Sequence, residues 1–452
     1  MPRKTFYILI TVIIIILIII FFLPFILKKN TGSSTDGGGI GEKISQFLPF
    51  GKNPETTGFG TDLENNNTIG NSQTDSEGAT GIEEKVPKLR HITLTPTSGS
   101  VIITRERDVI VDRIKKTIKE YFPRYMYRGN GHIEETQINS LKVDKISNIT
   151  IPEVYETVFS NDGNSFIARY LRDGTDDIQT YSAILKSKTT SSSTPTVATS
   201  TLKDVLGIYL DLNIREMAIS PSKTKLLALM YENGGGKINI LNSDGTNKKT
   251  VLVSPLREWL IHFGTDARSV ISTKPSGYTN GFAYFLDNGT GALTKIGGNL
   301  PGLTVLPSRD LTYILLGNGG VSAGLSVINT KSGNEAGQSL ATLPEKCVWS
   351  KTNIEVFYCA VPKNLPRAVY PDDWYKGKIF FDDEIWKIDL KNGSSNLVVD
   401  PQSLVNESID ATNLDISSGD NYLTFINKKD LTLWGLTLDN PAAVSTSTPQ
   451  TN

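Results

Sequence analysis

The sequence predicts an all-β fold of radially arranged repeats, a seven-bladed β-propeller, and three observations carry that expectation. First, one sketch recurs: apolar run, small residue, polar turn, second apolar run. It is found in VFSNDGNSFIA from Val158, AISPSKTKLLA from Ala218, HFGTDARSVIS from His262, VLPSRDLTYIL from Val305, CVWSKTNIEVFYC from Cys347 and DISSGDNYLTF from Asp415. Each copy reads as a β-hairpin. Second, the matching positions Ser160, Ser220, Gly264, Pro307, Ser350 and Ser417 are 60, 44, 43, 43 and 67 residues apart, the spacing of stacked or radial blades. Third, KLRHITLTP at Lys88 resembles the outer-strand segments KKTVLVSP at Lys248, GALTKIGG at Gly291, GQSLATLP at Gly337 and SSNLVVDP at Ser394, yet it stands before the first repeat, while the last repeat stops after three strands. An N-terminal strand that completes the last blade closes the ring and removes its exposed edges.

On that basis the blades fall near 100–150, 151–188, 213–255, 257–300, 301–345, 346–402 and 411–438, within a propeller over 88–438. Six or eight blades are the alternative counts, because the first blade carries the fewest repeat features. Ahead of the propeller, Phe6 to Leu27 is 22 residues without a charge. At 1.5 Å per residue it spans about 33 Å, the thickness of a bilayer's hydrocarbon core, so it is read as one transmembrane helix in an N-terminal block, 1–29. The alternative is a cleaved signal peptide. That would have a shorter apolar region and a small-residue cleavage site, where this chain has Pro24 to Lys29. Residues 30–87, rich in Gly, Ser, Thr and Asn, read as a flexible linker whose reach is on the order of 40 Å. The tail 439–452 reads as disordered.

Three insertions interrupt the repeats. Arg107 to Phe122 places Ile110, Ile114 and Ile118 at helical spacing, with Arg113, Lys115, Lys116 and Lys119 elsewhere, and predicts an amphipathic helix packed on the first blade. Lys186 to Ser200 is a low-complexity surface loop following the second blade. Ala360 to Lys378 is the longest structured loop, between the second and third strands of the sixth blade.

The chain has 46 Lys and Arg against 47 Asp and Glu, a net charge of −1, so no excess of charge favours a nucleic-acid partner. Its two cysteines bear on compartment. If Trp349 faces Phe357 across the hairpin, Cys347 faces Cys359, and opposed residues of an antiparallel pair lie within reach of a disulfide. A disulfide implies an oxidising compartment, the alternative being two buried thiols. Arg3 and Lys4 on one side of the apolar segment against Lys28 and Lys29 on the other give little orientation by themselves. With the cysteines, the expected topology is single-pass in the cell membrane, N-terminus cytoplasmic, propeller extracytoplasmic; a cytoplasm-facing anchored scaffold is the alternative.

The hairpins FSNDGNSFIA and ISPSKTKLLA, followed by third strands such as KINILNSDG and EIWKIDLKNG, resemble the WD40-like propeller repeats of the TolB type over roughly 88–438. The resemblance implies a rigid toroid whose loop faces bind proteins, peptides or glycans, often outside the cytoplasm. The Ser-Pro-Asp-Gly turn usual in that family is approached only by Ser160 to Gly163 and Ser220 to Ser222, and Gly264 and Pro307 depart from it.

The candidate binding loop is Tyr370, Pro371, Asp372, Asp373, Trp374 and Tyr375, followed by Phe381, Asp382 and Asp383. Aromatics beside carboxylates on the loop face can stack on a sugar or hold a basic peptide; the alternative is a lid in which Trp374 and Tyr375 fold back and the acids are solvated. Arg172 to Asp177 clusters oxygen ligands but lacks the twelve-residue calcium loop, and reads as a turn. Asn233 to Gly236 and Gly317 to Gly320 are turns without a following helix to hold phosphate. The three histidines, His91, His132 and His262, read as structural, and neither a Gly-x-Ser-x-Gly elbow nor a zinc spacing occurs. No catalytic residue, metal or cofactor is expected. The functional expectation is an anchored, non-enzymatic scaffold that binds a protein or glycan at a prokaryotic cell envelope; the alternative is a carbohydrate-active enzyme with two channel carboxylates.

Overall fold

The computed structural model describes residues 86–111, 113–187, 202–220 and 224–438. They form seven four-stranded antiparallel sheets, six of them built from consecutive strands. The seventh is completed by β1 (Leu89–His91), which pairs with Leu433–Thr437 in the register Leu89 to Leu436 and His91 to Trp434. The ring is therefore closed by a strand from the far end of the sequence, as the unmatched KLRHITLTP segment predicts. Leu89 is almost wholly buried there.

Apolar side chains on both faces of each sheet pack against the two flanking blades, and each of the seven interfaces has its own buried cluster. At the closing interface Ile102, Tyr121 and Tyr125 of the first blade meet Ile426 and Leu433 of the last. Hydrogen bonds reinforce it: the Ile102 N–H donates to Asp415 (3.0 Å) and the Tyr121 hydroxyl to Asn421 (2.8 Å).

The recurring serine has a physical role. Its hydroxyl accepts the backbone N–H of the residue five positions on, closing the hairpin turn: Ser165 to Ser160 at 2.8 Å, Lys225 to Ser220 at 3.1 Å, Tyr313 to Ser308 at 3.0 Å and Tyr422 to Ser417 at 3.0 Å. An otherwise unpaired turn donor is thereby satisfied. In the fifth blade the structural equivalent is thus Ser308, one residue beyond Pro307. The hairpin of the sixth blade has the predicted register, Cys347 to Cys359 and Trp349 to Phe357, with the two cysteines joined in a disulfide. Its second strand starts at Val356 and runs to Pro362, two residues after Ile354, where the second apolar run of the sequence begins.

Three expectations are corrected. Arg107 to Phe122 is not a helix: it lies in a long hairpin of β2 (Thr97–Val111) and β3 (Ile114–Tyr127), with Ile110 and Ile114 exposed. The segment is dense in β-branched residues, which favour strands, and its opposite charges pair across the ladder, Lys115 with Asp108 (2.8 Å) and Arg107 with Glu120 (3.0 Å). The second blade does not end at 188, because Lys203–Tyr209 is its fourth strand and the low-complexity loop lies inside the blade. In the fifth blade the outer strand is Glu335–Gly337, ahead of the GQSLATLP segment except for its first residue. The apolar segment Phe6 to Leu27, the linker as far as residue 85 and the tail 439–452 lie outside the described residues. Among those described, no helix is long and apolar enough to cross a membrane.

Leu89 and Leu94 give a direct test of ring closure, one side chain buried and the other 82% exposed. Leu89→Ala should lower unfolding free energy in urea by about 2–5 kcal/mol, whereas Leu94→Ala should change it by less than about 0.5 kcal/mol.

Candidate functional site

In every blade the strand order alternates direction. The segments leading into the innermost strands and the connections between second and third strands therefore share one end of the ring, termed here the upper face. The longest of these connections runs from Lys363 to Asp382. It passes through a cis Tyr370–Pro371 bond into one helical turn, Asp372–Tyr375.

This connection is strapped across neighbouring blades. Tyr370 and Gly320 exchange two backbone hydrogen bonds, 2.7 and 2.9 Å. The Tyr370 carbonyl also lies so close to other blades that a Cβ on Gly277, Gly302 or Gly319 would approach it to 2.6, 2.6 or 2.2 Å. The Gly317 to Gly320 turn is thus glycine-rich because another backbone passes over it. Asp372 accepts from the Ser276 hydroxyl (3.1 Å) and the Gly277 N–H (2.6 Å), tying the strap to the fourth blade. Asp373 accepts from the Val369 N–H (2.9 Å) and pairs with Lys378 (3.0 Å).

Beneath the strap lies a wholly buried charge cluster. The Lys346 ammonium, just ahead of the innermost strand of the sixth blade, is 2.7 Å from Asp383 and 2.5 Å from Asp410, and all three side chains are 0% exposed. Lys346 also donates to the Ala411 carbonyl (2.9 Å) and stands 5.2 and 5.0 Å from the ring centroids of Trp374 and Phe381. Asp410 accepts further from the Trp374 indole N–H (2.9 Å) and the Phe381 N–H (3.1 Å). Asp383 accepts from the Ala411 N–H (2.7 Å) on one oxygen, while its other oxygen has no partner among the described residues. Burial pushes the Asp383 carboxyl up to about 6, against the opposing pull of Lys346 and with reinforcement from Asp410.

The predicted loop residues therefore sort differently from expectation. Tyr370 and Trp374, 0% and 3% exposed, are the loop's own core, stacked on Phe381 and not presented to a ligand. Asp383 is a buried ion-pair partner, and Asp382 pairs with Lys363 (3.6 Å). Tyr375 reaches outward, 40% exposed, with its hydroxyl donating to Glu345, and the Asp382 side chain is 38% exposed. The physical reason is that Lys346 and Asp410, from two other connections, turn the aromatic faces and the indole N–H inward.

Residues that were not singled out in the sequence dominate the open part of this face. Glu156 and Glu216 are the first residues of the innermost strands of the second and third blades. Glu156 is ion-paired with Arg169, whereas Glu216 is pushed up to about 7 by burial, opposed by Arg169 and reinforced by Glu156. Burial also raises the Glu345 carboxyl. Beside them, between the first and second blades, is a cleft of about 830 Å³ lined by Pro96, Tyr127, Arg128, Glu153, Tyr155 and Leu171. The Arg169 guanidinium lies 5.5 Å from the Tyr155 ring centroid, and Arg128 makes no ion pair among the described residues. These residues come from three connections and the ends of two strands, and no local motif joins them.

Arg172 to Asp177 forms a closed turn, with the Thr175 N–H donating to the Arg172 carbonyl at 3.1 Å. Among the described residues no group of three or more His, Cys, Asp and Glu side chains is arranged to hold a metal ion. The His91 ring packs tilted against Trp434, centroids 3.7 Å apart, and burial depresses His262 to about 4.

The buried cluster sets a pH test. Between the ordinary Asp value of 3.8 and about 6, folded Asp383 retains a proton that the unfolded chain has released, so its contribution to stability falls as pH rises through that window. Asp383→Asn should flatten the stability profile from pH 4.5 to 7.5 relative to the parent, by about 2 kcal/mol in thermal or urea unfolding. Lys346→Met, which leaves two buried acids unpaired, should cost about 3–5 kcal/mol at neutral pH.

No protein-family model and no curated protein matches this chain. Similar solved structures include an oligogalacturonate lyase in complex with manganese, at 7% identity over 77% of this chain and 99% of that one, with a TM-score of 0.46. Hydrazine synthase of Kuenenia stuttgartiensis is 13% identical over 66% and 80%, TM-score 0.43. TolB from Acinetobacter baumannii is 10% identical over 76% and 65%, TM-score 0.38. At these identities the likeness is one of fold alone.

Proposed function

We propose that this protein is a membrane-anchored, extracytoplasmic propeller that binds a protein or glycan partner of a prokaryotic cell envelope on its upper face. The observation that carries the reading is the cleft between the first and second blades, where two tyrosines, an arginine with no ion pair among the described residues and an exposed leucine converge on about 830 Å³. Such a site combines stacking area, a cation and apolar surface on a rigid base. The strap adds to that rigidity, because its aromatics are held by hydrogen bonds and a buried ion pair instead of waiting for a ligand. The disulfide between Cys347 and Cys359 supports the extracytoplasmic part, and the apolar run Phe6 to Leu27 the anchor.

A second reading, a carbohydrate-active enzyme, has support in Glu216, which titrates near 7 beside Glu156 and so has the poise of a general acid. The two readings separate by experiment. On intact cells a membrane-impermeant amine reagent should label propeller lysines; labelling only after lysis would remove the extracytoplasmic assignment. Arg128→Ala with Tyr155→Ala should reduce capture of envelope protein or glycan at least tenfold with thermal stability unchanged, and unchanged capture would remove the cleft. If the enzyme reading holds, Glu216→Gln abolishes glycan cleavage and leaves capture intact.

A further inference from the structure

The hairpin of β2 and β3 is unlike the corresponding part of any other blade. Its strands have 15 and 14 residues, whereas the innermost strands of the other blades have between 3 and 6. The excess projects past the ring. Residues 105–108 and 113–117 are exposed, and the third strand of the blade pairs with β3 only from Arg124 to Met126. Among the described residues, neither edge of this ribbon is paired from 105 to 119. Six residues of strand beyond the base make a finger about 20 Å long.

The ladder divides the finger into two unlike faces. One carries Glu106, Asp108 and Ile110 opposite Lys119, Thr117 and Lys115, and its charges are matched: Lys115 with Asp108 at 2.8 Å and Lys119 with Glu106 at 4.0 Å. The other carries Arg107 and Val109 opposite Ile118 and Lys116, with Ile114 next in line. Ile110, next to last in β2, and Ile114, first in β3, are 79% and 69% exposed at the tip. Arg113 in the turn and Lys116 beside it make no ion pair among the described residues. Residues 105–119 carry six Lys and Arg against three Asp and Glu, so the apolar tip stands in a segment of net positive charge.

Strand direction places this tip at a particular end. β2 runs from the upper face to the lower, so the tip lies on the lower side. β1 runs the opposite way, so the described chain enters the propeller from the lower side as well, and its last strand, Leu433–Thr437, leaves there. The described chain therefore begins and ends on the side to which the finger points, and the charge-free run Phe6 to Leu27 precedes it in sequence.

We propose that the finger of β2 and β3 is a contact for an anionic lipid surface, with Ile110 and Ile114 seated among the headgroups and Arg113 and Lys116 meeting phosphate or carboxylate groups. The bare edges keep the ribbon in the hydrated interface, since unpaired backbone groups are costly in hydrocarbon. The charge favours lipid over an acidic protein because it is spread around an apolar tip that no concave partner surface is needed to cover. This inference rests on the anchored reading, and it adds a second point of attachment that seats the lower face and leaves the upper face free.

The test uses the full chain, with a fluorophore on Ile110→Cys, since the native cysteines are paired. A second protein carries the probe on Val321→Cys, exposed in an upper-face connection. Each is added to vesicles of phosphatidylcholine alone, or with phosphatidylglycerol, containing brominated lipid. Expected is a blue shift and quenching at the Ile110 position with anionic vesicles only, reversed at about 0.5 M salt, and no quenching at Val321. Arg113→Asn, which suits the positive φ at that position, and Lys116→Glu should each weaken the response about fivefold or more. Absence of quenching at Ile110, equal quenching with both vesicle types, or insensitivity to the charge substitutions would overturn the proposal. The last result, with a protein cross-linked at Ile110, would reassign the finger to a protein partner. An alkaline wash applied after the reading reports the anchor separately: protein lost from the vesicles overturns the anchor, whereas retained protein without quenching overturns the finger alone.

Discussion

Closure of the ring by β1 is the constraint on which the rest of the structure depends. Six blades are completed by strands consecutive in sequence, but the seventh needs Leu89 to His91 from the opposite end of the propeller. Without that strand, Leu433–Thr437 would be an open edge, and the packing of Leu89 against Leu423, Phe425 and Leu436 would be lost. Because each blade is held mainly by its two neighbours, closure makes seven equivalent interfaces out of six and two loose ends. It also puts both ends of the described propeller chain on the same side, which leaves the opposite loop face unobstructed by them.

The second constraint is electrostatic. A lysine and two aspartates without solvent exposure carry a desolvation cost that their attraction offsets only with good geometry and additional hydrogen bonds. Here those bonds come from the Ala411 N–H, the Phe381 N–H, the Trp374 indole and the Ala411 carbonyl. Each donor or acceptor belongs to a segment that has to be placed: the strap or the start of the innermost strand of the last blade. The cluster thus acts as a specificity device, defining one position for a long loop that apolar contacts alone would place less definitely. The glycines at 277, 302 and 319 do the complementary work, admitting the strap's backbone where any side chain would exclude it.

Much of the propeller was legible because its signals are local and repeated. Alternating apolar runs, turn serines and a spacing near 43 residues repeat blade after blade, and the cysteine register follows from a short hairpin whose two strands are nearly adjacent in sequence. The long hairpin of the first blade was misread as a helix because Ile110, Ile114 and Ile118 satisfy a helical period while its β-branched content and cross-strand charges point to strands. An exposed ribbon buries too little to enforce a clean alternation, so periodicity there is a poor guide. The loop from Tyr370 to Asp383 was recognised by composition, but whether its aromatics faced out or in depended on Lys346 and Asp410, 24 or more positions from Tyr370 in either direction.

The sequence by itself determined the class of fold, the repeat, the closing strand and the pairing of Cys347 with Cys359, because each is specified by residues within one hairpin or by a comparison between similar segments. Only the tertiary structure decided which side chains share a site. Tyr127, Arg128 and Tyr155 line one cleft, and Lys346, Asp383 and Asp410 one buried cluster, because blades meet side by side. Such meetings depend on the angle and distance between sheets, quantities set by the packing of whole interfaces and written in no single stretch of the chain.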